Sequence, residues 1–303
     1  MSTLPAPPPS CPSPDGITRP AQRLKLPVGA VDCHAHVIGS APDFPLIENR
    51  SYTPVPVSSQ DYLAMLSASS VTFGVLVQIS VHGNDNQYMQ QALRAAPGRL
   101  RGIAVIGPQP TERECNQLAD DGVVGLRINA MFRGGASVSK LERYADICRD
   151  RGWHLQLLVD GNDIAEVGQT VSRLRVPVVF DHMGHPNVEV GLEGQGFKTL
   201  LGLVRDGAWV KLSGAYRFSQ TLAPYDDVLP FARALYAAAP ERCLWGSDWP
   251  HVAHWGPMMN VGDLLDALAD WLPEEKQQIQ VLTTNPQRLY GFASATSTKL
   301  GRS

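Results

Sequence analysis

Along the chain, short apolar runs alternate with stretches in which apolar residues recur every three or four positions, and the alternation repeats eight times. Runs suited to strands lie at 30–34, 73–79, 100–106, 123–128, 154–159, 176–180, 209–212 and 242–245. Stretches suited to helices lie between and after them, at 59–69, 86–96, 111–120, 139–151, 163–174, 197–206, 228–239 and 261–271. The strand-like runs are nearly continuous in apolar residues, which is the pattern of a parallel sheet covered on both faces. Eight such units in roughly 260 residues fit a closed (β/α)8 barrel, an α/β fold, better than an open doubly wound sheet. A dinucleotide-binding sheet is further excluded because the first strand runs into Asp32-Cys33-His34-Ala35-His36 with no glycine-rich phosphate loop.

The N-terminal segment breaks the pattern. Pro5, Pro7, Pro8, Pro9, Pro12, Pro14 and Pro20 crowd it and little apolar material accompanies them, so residues 1–26 are expected to form a mobile or polyproline-like arm. Residues 27–303 are then a single barrel domain. An arm of this kind can lie across a neighbouring subunit, which leaves a homo-oligomer open. Lys and Arg number 26 against 29 Asp and Glu, and a formal charge of -3 offers no broad attraction for nucleic acid or an anionic membrane. No apolar stretch reaches the roughly 20 residues of a membrane span. With no basic-then-apolar leader either, the expected location is the cytoplasm. Cys11, Cys33, Cys115, Cys148 and Cys243 are scattered and odd in number, and read as reduced, mostly buried thiols.

Candidate chemistry gathers at one end of the strands. Of eight histidines, His34, His36, His82, His182, His185, His251 and His254 fall at or after a strand's carboxyl end, and only His154 begins one. In a barrel those ends converge on one mouth. Alternate strand residues share a face, so His34 and His36 can offer two imidazoles to one cation. Two hydrogen-bonded core histidines are the alternative. His182 after the sixth strand can add a nitrogen and Asp248 after the eighth an oxygen, a set that suits Zn²⁺ or Mn²⁺. Nothing in the spacing decides whether a metal is held, and metal-free operation stays open. Asp248 can equally serve as the base that takes a proton from water attacking a carbonyl, or cap the next helix or pair with Arg242.

These segments resemble the amidohydrolase superfamily, and within it the branch of 2-pyrone-4,6-dicarboxylate lactonase and related lactone hydrolases, including sulfomuconolactone-type enzymes. The likeness rests on seven ordered stretches: 32–36, 78–86, 127–129, 181–186, 211–217, 245–251 and 285–290. Among them are Asp32-Cys33-His34-Ala35-His36, Asp181-His182-Met183-Gly184-His185-Pro186 and Trp245-Gly246-Ser247-Asp248-Trp249-Pro250-His251. The resemblance implies an amidohydrolase-type barrel that hydrolyses a cyclic ester. Asp248 would activate water, and His34, His36 and His182, with or without a divalent metal, would polarise the carbonyl. It also implies that Arg127, Arg133 and Arg217 hold anionic groups of the substrate, since a guanidinium fork binds a planar oxyanion through two hydrogen bonds. Ser80, His82, His185 and His251 complete the expected binding set.

Two departures bear on the substrate. Leu158 stands where the dicarboxylate lactonase carries an aromatic hydroxyl on the fifth strand, and His185 stands in place of an arginine. A muconolactone-type ring bearing a carboxylate or sulfonate, an intermediate of aromatic catabolism, is therefore expected ahead of the pyrone dicarboxylate or a sugar-acid lactone. Decarboxylation is a weaker reading, because Leu212-Ser213-Gly214-Ala215-Tyr216 lacks the additional histidine of such enzymes. A barrel that binds an anion without turnover has no use for a free base beside three imidazoles.

Overall fold

The computed structural model describes residues 7–293. Eight strands, β1 (Val31–Ala35), β2 (Phe73–Val77), β3 (Leu100–Ala104), β4 (Val123–Asn129), β5 (His154–Leu158), β6 (Val178–Phe180), β7 (Trp209–Leu212) and β8 (Cys243–Trp245), pair in parallel in chain order. Each is followed by a helix: α1 (Ser59–Ala68), α2 (Gln87–Ala95), α3 (Glu112–Asp120), α4 (Leu141–Asp150), α5 (Ile164–Val171), α6 (Gln195–Arg205), α7 (Leu229–Ala238) and α8 (Val261–Trp271). The expected barrel is thus present, with strand ends within two residues of their predicted positions. Polar side chains set where helices begin. Ser58 and Asp61 form a reciprocal capping box on α1, and Thr111 caps α3.

The seam between β8 and β1 is closed by side chains and loop backbone rather than by a regular ladder. Asp32 accepts from the Ser247 amide at 2.7 Å and its hydroxyl at 2.6 Å, and from Tyr62 of α1 at 3.1 Å. Beyond it, the Asp248 amide donates to the His34 carbonyl and the His36 amide to that of Trp249. Burial pushes the Asp32 carboxyl up to about 6 against the pull of these donors.

Within the barrel, Val31, Cys33, Val75, Val77, Ile103, Val179 and Leu244 form the lower core, with Tyr290 and Phe292 packed against it. These two aromatics belong to or follow a C-terminal helical segment the strand–helix pattern did not predict: α9 (Glu275–Ile279), a π turn (Gln280–Thr284) and α10 (Asn285–Tyr290). Asn285 anchors it by donating to the carbonyls of Pro240 and Cys243, both at 2.7 Å. A larger apolar layer fills the space between strands and helices. No helix among the described residues is long and apolar enough to cross a membrane.

Much of the proline-rich arm makes contacts with the barrel. From Pro9 to Leu24 it lies on its own barrel, held by a bridge between Ser10 and Thr53 and by Asp266, which accepts from the amides of Gln22, Arg23 and Leu24. Its prolines leave few amides to satisfy, and α8 supplies acceptors for those that remain. Residues 1–6 of the expected arm and 294–303 of the expected barrel domain lie outside the described residues.

Candidate active site

The site is built at the carboxyl ends of β1, β6, β7 and β8. Cys33 lies in the lower core, yet the next residue, His34, also reaches inward to Lys211. The β1 register shifts between Asp32 and Ala35, and a bulge of this kind turns two successive side chains to one side. His36 follows, and its Nδ1–H donates to the Val77 carbonyl at 2.7 Å, which leaves the Nε2 lone pair facing the centre. His182 Nδ1 pairs with the Ser213 hydroxyl at 2.9 Å, so its Nε2 points the same way. His182 and Asp248 sit at φ 50° and 60°, a region costly for residues with a Cβ, at two points where the chain turns side chains into the mouth.

Asp248 is the hub. Its Oδ2 accepts from Tyr216 at 2.7 Å and from Arg217 Nε at 2.6 Å. Its Oδ1 has no hydrogen-bond donor, although it is fully buried and lies 3.7 Å from both His34 Nε2 and His36 Nε2. Burial alone would raise its pKa, but Arg217, then His182 and His34, hold it well below the usual carboxylate range. Burial keeps the imidazoles neutral: His34 and His185 are pushed down to about 4, and His36 and His182 well below their ordinary value.

Beneath this lies a second buried polar layer. Lys211 Nζ donates to Gln156 Oε1 at 2.7 Å and approaches His34 Nδ1 at 3.2 Å. Asp181 Oδ2 accepts from Gln156 at 3.0 Å and from Arg127 at 3.3 Å. Its Oδ1 lies 3.2 Å from both Lys211 Nζ, with which it pairs in charge, and the neutral His34 Nδ1, off the line of a hydrogen bond.

A profile of the family described as amidohydrolase matches residues 31–292, which takes in all eight strands and the site. The chain belongs to the amidohydrolase family. It is 36% identical over 289 residues to a 4-sulfomuconolactone hydrolase of Rhizobium radiobacter, covering 93% of this chain and 96% of that one. It is 34% identical over 280 residues to a 2-pyrone-4,6-dicarboxylate hydrolase of Comamonas testosteroni, covering 88% and 92%. A crystal structure from Pseudomonas putida, proposed there to be a 2-pyrone-4,6-dicarboxylic acid hydrolase, superposes with a TM-score of 0.76 at 31% identity, covering 89% of this chain and 100% of its own.

In this amidohydrolase a small, narrow cavity opens onto the hub. His36, His182, His185, Asp248, Arg127 and Arg217 supply its polar wall, with Asn129 and the Tyr52 hydroxyl, and Phe132, Leu158 and Val252 its apolar one. A wider hollow beside Asn84, Gln90 and Gln117 holds no histidine and opens to solvent. Of the expected binding residues, Arg127, Arg217 and His185 reach the cavity and four do not line it. Arg133 is exposed, its guanidinium 3.4 Å from Asn49 Oδ1, because the loop after β4 carries it past the mouth. His82 Nε2 accepts from the Gly39 amide and so fastens the loop after β1. Ser80 stands behind Tyr52, hydroxyl to hydroxyl at 3.1 Å. His251 packs edge-on against Tyr216, both ring nitrogens unpartnered. The arginines in the cavity are also more committed than expected: Arg217 binds Asp248 and the Val252 carbonyl, and Arg127 binds Asp181 and the Gln78 carbonyl. Asp248 itself neither caps a helix nor pairs with Arg242, whose partner is Glu241.

Sequence reasoning missed Lys211, Gln156, Asp181 and Tyr216 as members of the site. A signal for the first two was present. Lys211 is the lone polar residue of Trp209-Val210-Lys211-Leu212, and Gln156 is the polar residue flanked by leucines in His154-Leu155-Gln156-Leu157. Such a residue in a sheet covered on both faces must have a buried partner.

A metal fits the donor set. One ligand atom each of His34, His182 and Asp248 lies within 4.8 Å of the others. The decisive observation is that the His36 Nε2 lone pair faces the donorless Asp248 Oδ1 at 3.7 Å, since two acceptors pointed at one another call for a cation or a proton donor between them.

Proposed function

We infer that this amidohydrolase opens a lactone bearing an anionic group, with Asp248 as the base. The observation that carries the reading is the division of labour within that carboxylate. Oδ2 is pinned by Tyr216 and Arg217, while Oδ1 is free, buried and surrounded by neutral imidazoles. A carboxylate held so low is a weak base in water, and its usefulness comes from being ionised at any working pH and fixed beside the reacting carbon.

Water adds to the lactone carbonyl as Asp248 Oδ1 takes one of its protons. The negative charge that forms on the carbonyl oxygen is met by the donors around it. With Lys211 donating to Nδ1, His34 carries its proton on Nε2 and can donate into the centre. The ring C–O bond then breaks, and the proton held by Asp248 passes to the departing oxygen, so lactone and water become one ring-opened acid. When bound by His34, His36, His182 and Asp248, zinc or manganese would supply Lewis-acid polarisation of the carbonyl. The free Arg127 Nε, His185 Nε2 and the remaining guanidinium face of Arg217 are the groups available to a carboxylate or sulfonate.

The names of the related enzymes support a muconolactone-type substrate of aromatic catabolism, carboxylated or sulfonated, with the pyrone dicarboxylate as the second candidate. Leu158 and His185 on the cavity wall favour the first, because they lack the hydroxyl and permanent charge expected for a dicarboxylate ring. Proton release on adding a panel of anionic lactones, run beside metal analysis of protein purified without added ions, tests the reading. Turnover of muconolactones ahead of the pyrone is expected. Release of CO₂, or tight binding with neither product, would overturn it.

A further inference from the structure

The proline-rich arm bears on the cavity. The Thr53 amide donates to the Pro9 carbonyl and the Cys11 amide to the Thr53 carbonyl, each at 2.8 Å, so the arm runs as a short parallel strand beside the loop after β1. On its other side the Ala253 amide donates to Cys11 Sγ at 3.3 Å and the Trp255 indole N–H to the Ser10 carbonyl at 2.8 Å, both from the loop after β8. Cys11 is buried in this junction. Three residues of the arm therefore join two loops that come from opposite ends of the chain.

Each loop carries a cavity wall one residue from its junction with the arm. Tyr52 precedes Thr53, and Val252 precedes Ala253. The Val252 carbonyl also accepts from Arg217 at 3.2 Å, and Arg217 pins Asp248. Ala253 sits at φ 55°, a conformation an alanine holds only when neighbours impose it, and the Cys11 thiol sulfur that accepts from its amide is one of those neighbours. Further along, Asn260 donates to Asp15 and to the Ile17 carbonyl and accepts from the Arg19 amide, so the arm is also tethered at the start of α8 after it leaves the loops.

We propose that Pro9, Ser10 and Cys11 form a clip that sets the separation of the Tyr52 and Val252 walls, and so selects lactones by size. The residues act by positioning and touch no reacting atom. A loop that drifts by an ångström moves a cavity wall by the same amount, and in a cavity this small that is a large fraction of the width. The choice of lactones as probes rests on the function proposed above; the clip itself does not.

The test uses the full chain, a deletion of residues 1–12, and the milder Cys11→Ala, Cys11→Ser and Trp255→Phe. The first readout is amide exchange in 50–57 and 250–256, which needs no substrate. Faster exchange in both loops is expected for the deletion, and unchanged exchange overturns the clip whatever the enzyme hydrolyses. The second readout is the ratio of kcat/KM for a small and a bulky anionic lactone. In the deletion, KM for the small lactone is expected to rise about tenfold and the preference for it to narrow by about fivefold, with kcat within about twofold. Cys11→Ser, which keeps an acceptor for the Ala253 amide, is expected to retain more of the preference than Cys11→Ala. A lower melting point with the ratio unchanged would make the arm a mere stabiliser. Absence of all lactone turnover in the intact enzyme, with loop exchange responding as expected, would overturn the lactonase reading and leave the clip standing.

Discussion

Asp181 and Asp248 are both buried carboxylates at the ends of barrel strands, both surrounded by cations and imidazoles, and both held far below the usual carboxylate range. They differ in what is left over. Around Asp181, burial is offset by Lys211, His34 and Arg127, and both oxygens face positive or donating groups. Around Asp248, one oxygen is saturated and the other faces only ring nitrogens across 3.7 Å. Asp181 Oδ1 also lacks a hydrogen bond, but the Lys211 ammonium stands 3.2 Å from it, and in that sense the first carboxylate is finished. The second is unfinished, because no cation stands at its bare oxygen, and that is where a substrate, a water or a cation gains most by binding.

Asp248→Asn breaks this contrast at its centre. Turnover is expected to fall by about a hundred- to ten-thousand-fold, because the amide cannot take a proton, while Tyr216 can still donate to its oxygen. Near-native turnover in a steady-state assay, with folding checked by circular dichroism, would remove Asp248 from the role of base. Lys211→Met acts on the finished side. It leaves Asp181 short of a buried counter-charge and is expected to cost about 3–5 kcal/mol of unfolding free energy in denaturant titration; a loss below about 1 kcal/mol would show that Arg127 and His34 suffice.

Arg217→Met separates two roles for one side chain. Without the guanidinium, burial pushes the Asp248 pKa upward, so the acid limb of the pH profile of kcat/KM is expected to move to higher pH and kcat to fall by about tenfold or more. A rise in KM confined to anionic lactones, with kcat and the limb unmoved, would show that Arg217 reads substrate charge and does not hold the base. The smallest effect is on stability against pH. His34 and His251 are pushed down to about 4 and His154 to about 3, so the unfolded chain binds more protons than the folded one between about pH 6.5 and 4. Stability should therefore be fully present above pH 6.5 and decline below it. Asp32, raised to about 6, opposes this over most of the window but is one group against several. A melting point lower at pH 5 than at pH 7 by on the order of 5 °C is expected from calorimetry; a rise would mean the carboxyl outweighs the imidazoles.

The barrel, its eight units and the gathering of His34, His36, His182 and Asp248 were legible in residue order, because period and strand position are local properties that survive without knowing any partner. The arm was not. Its composition argued against a core, yet Cys11 and Leu24 are buried, for the reason that acceptors such as Asp266 and Thr53 lie some 40 to 240 residues away in the chain. Arginine commitment escaped in the same manner: Arg217 and Arg127 looked free for substrate until Asp248 and Asp181 were seen beside them.

Residue order alone thus dictated a parallel barrel with imidazoles and a carboxylate at its mouth, since apolar periodicity places strands and strands place their ends. Which oxygen of Asp248 is free, which nitrogen of His36 faces it, and which arginines are already taken depended on contacts across the closed sheet. Those choices are matters of distances of a few ångströms between residues distant in the chain, and no local pattern encodes them.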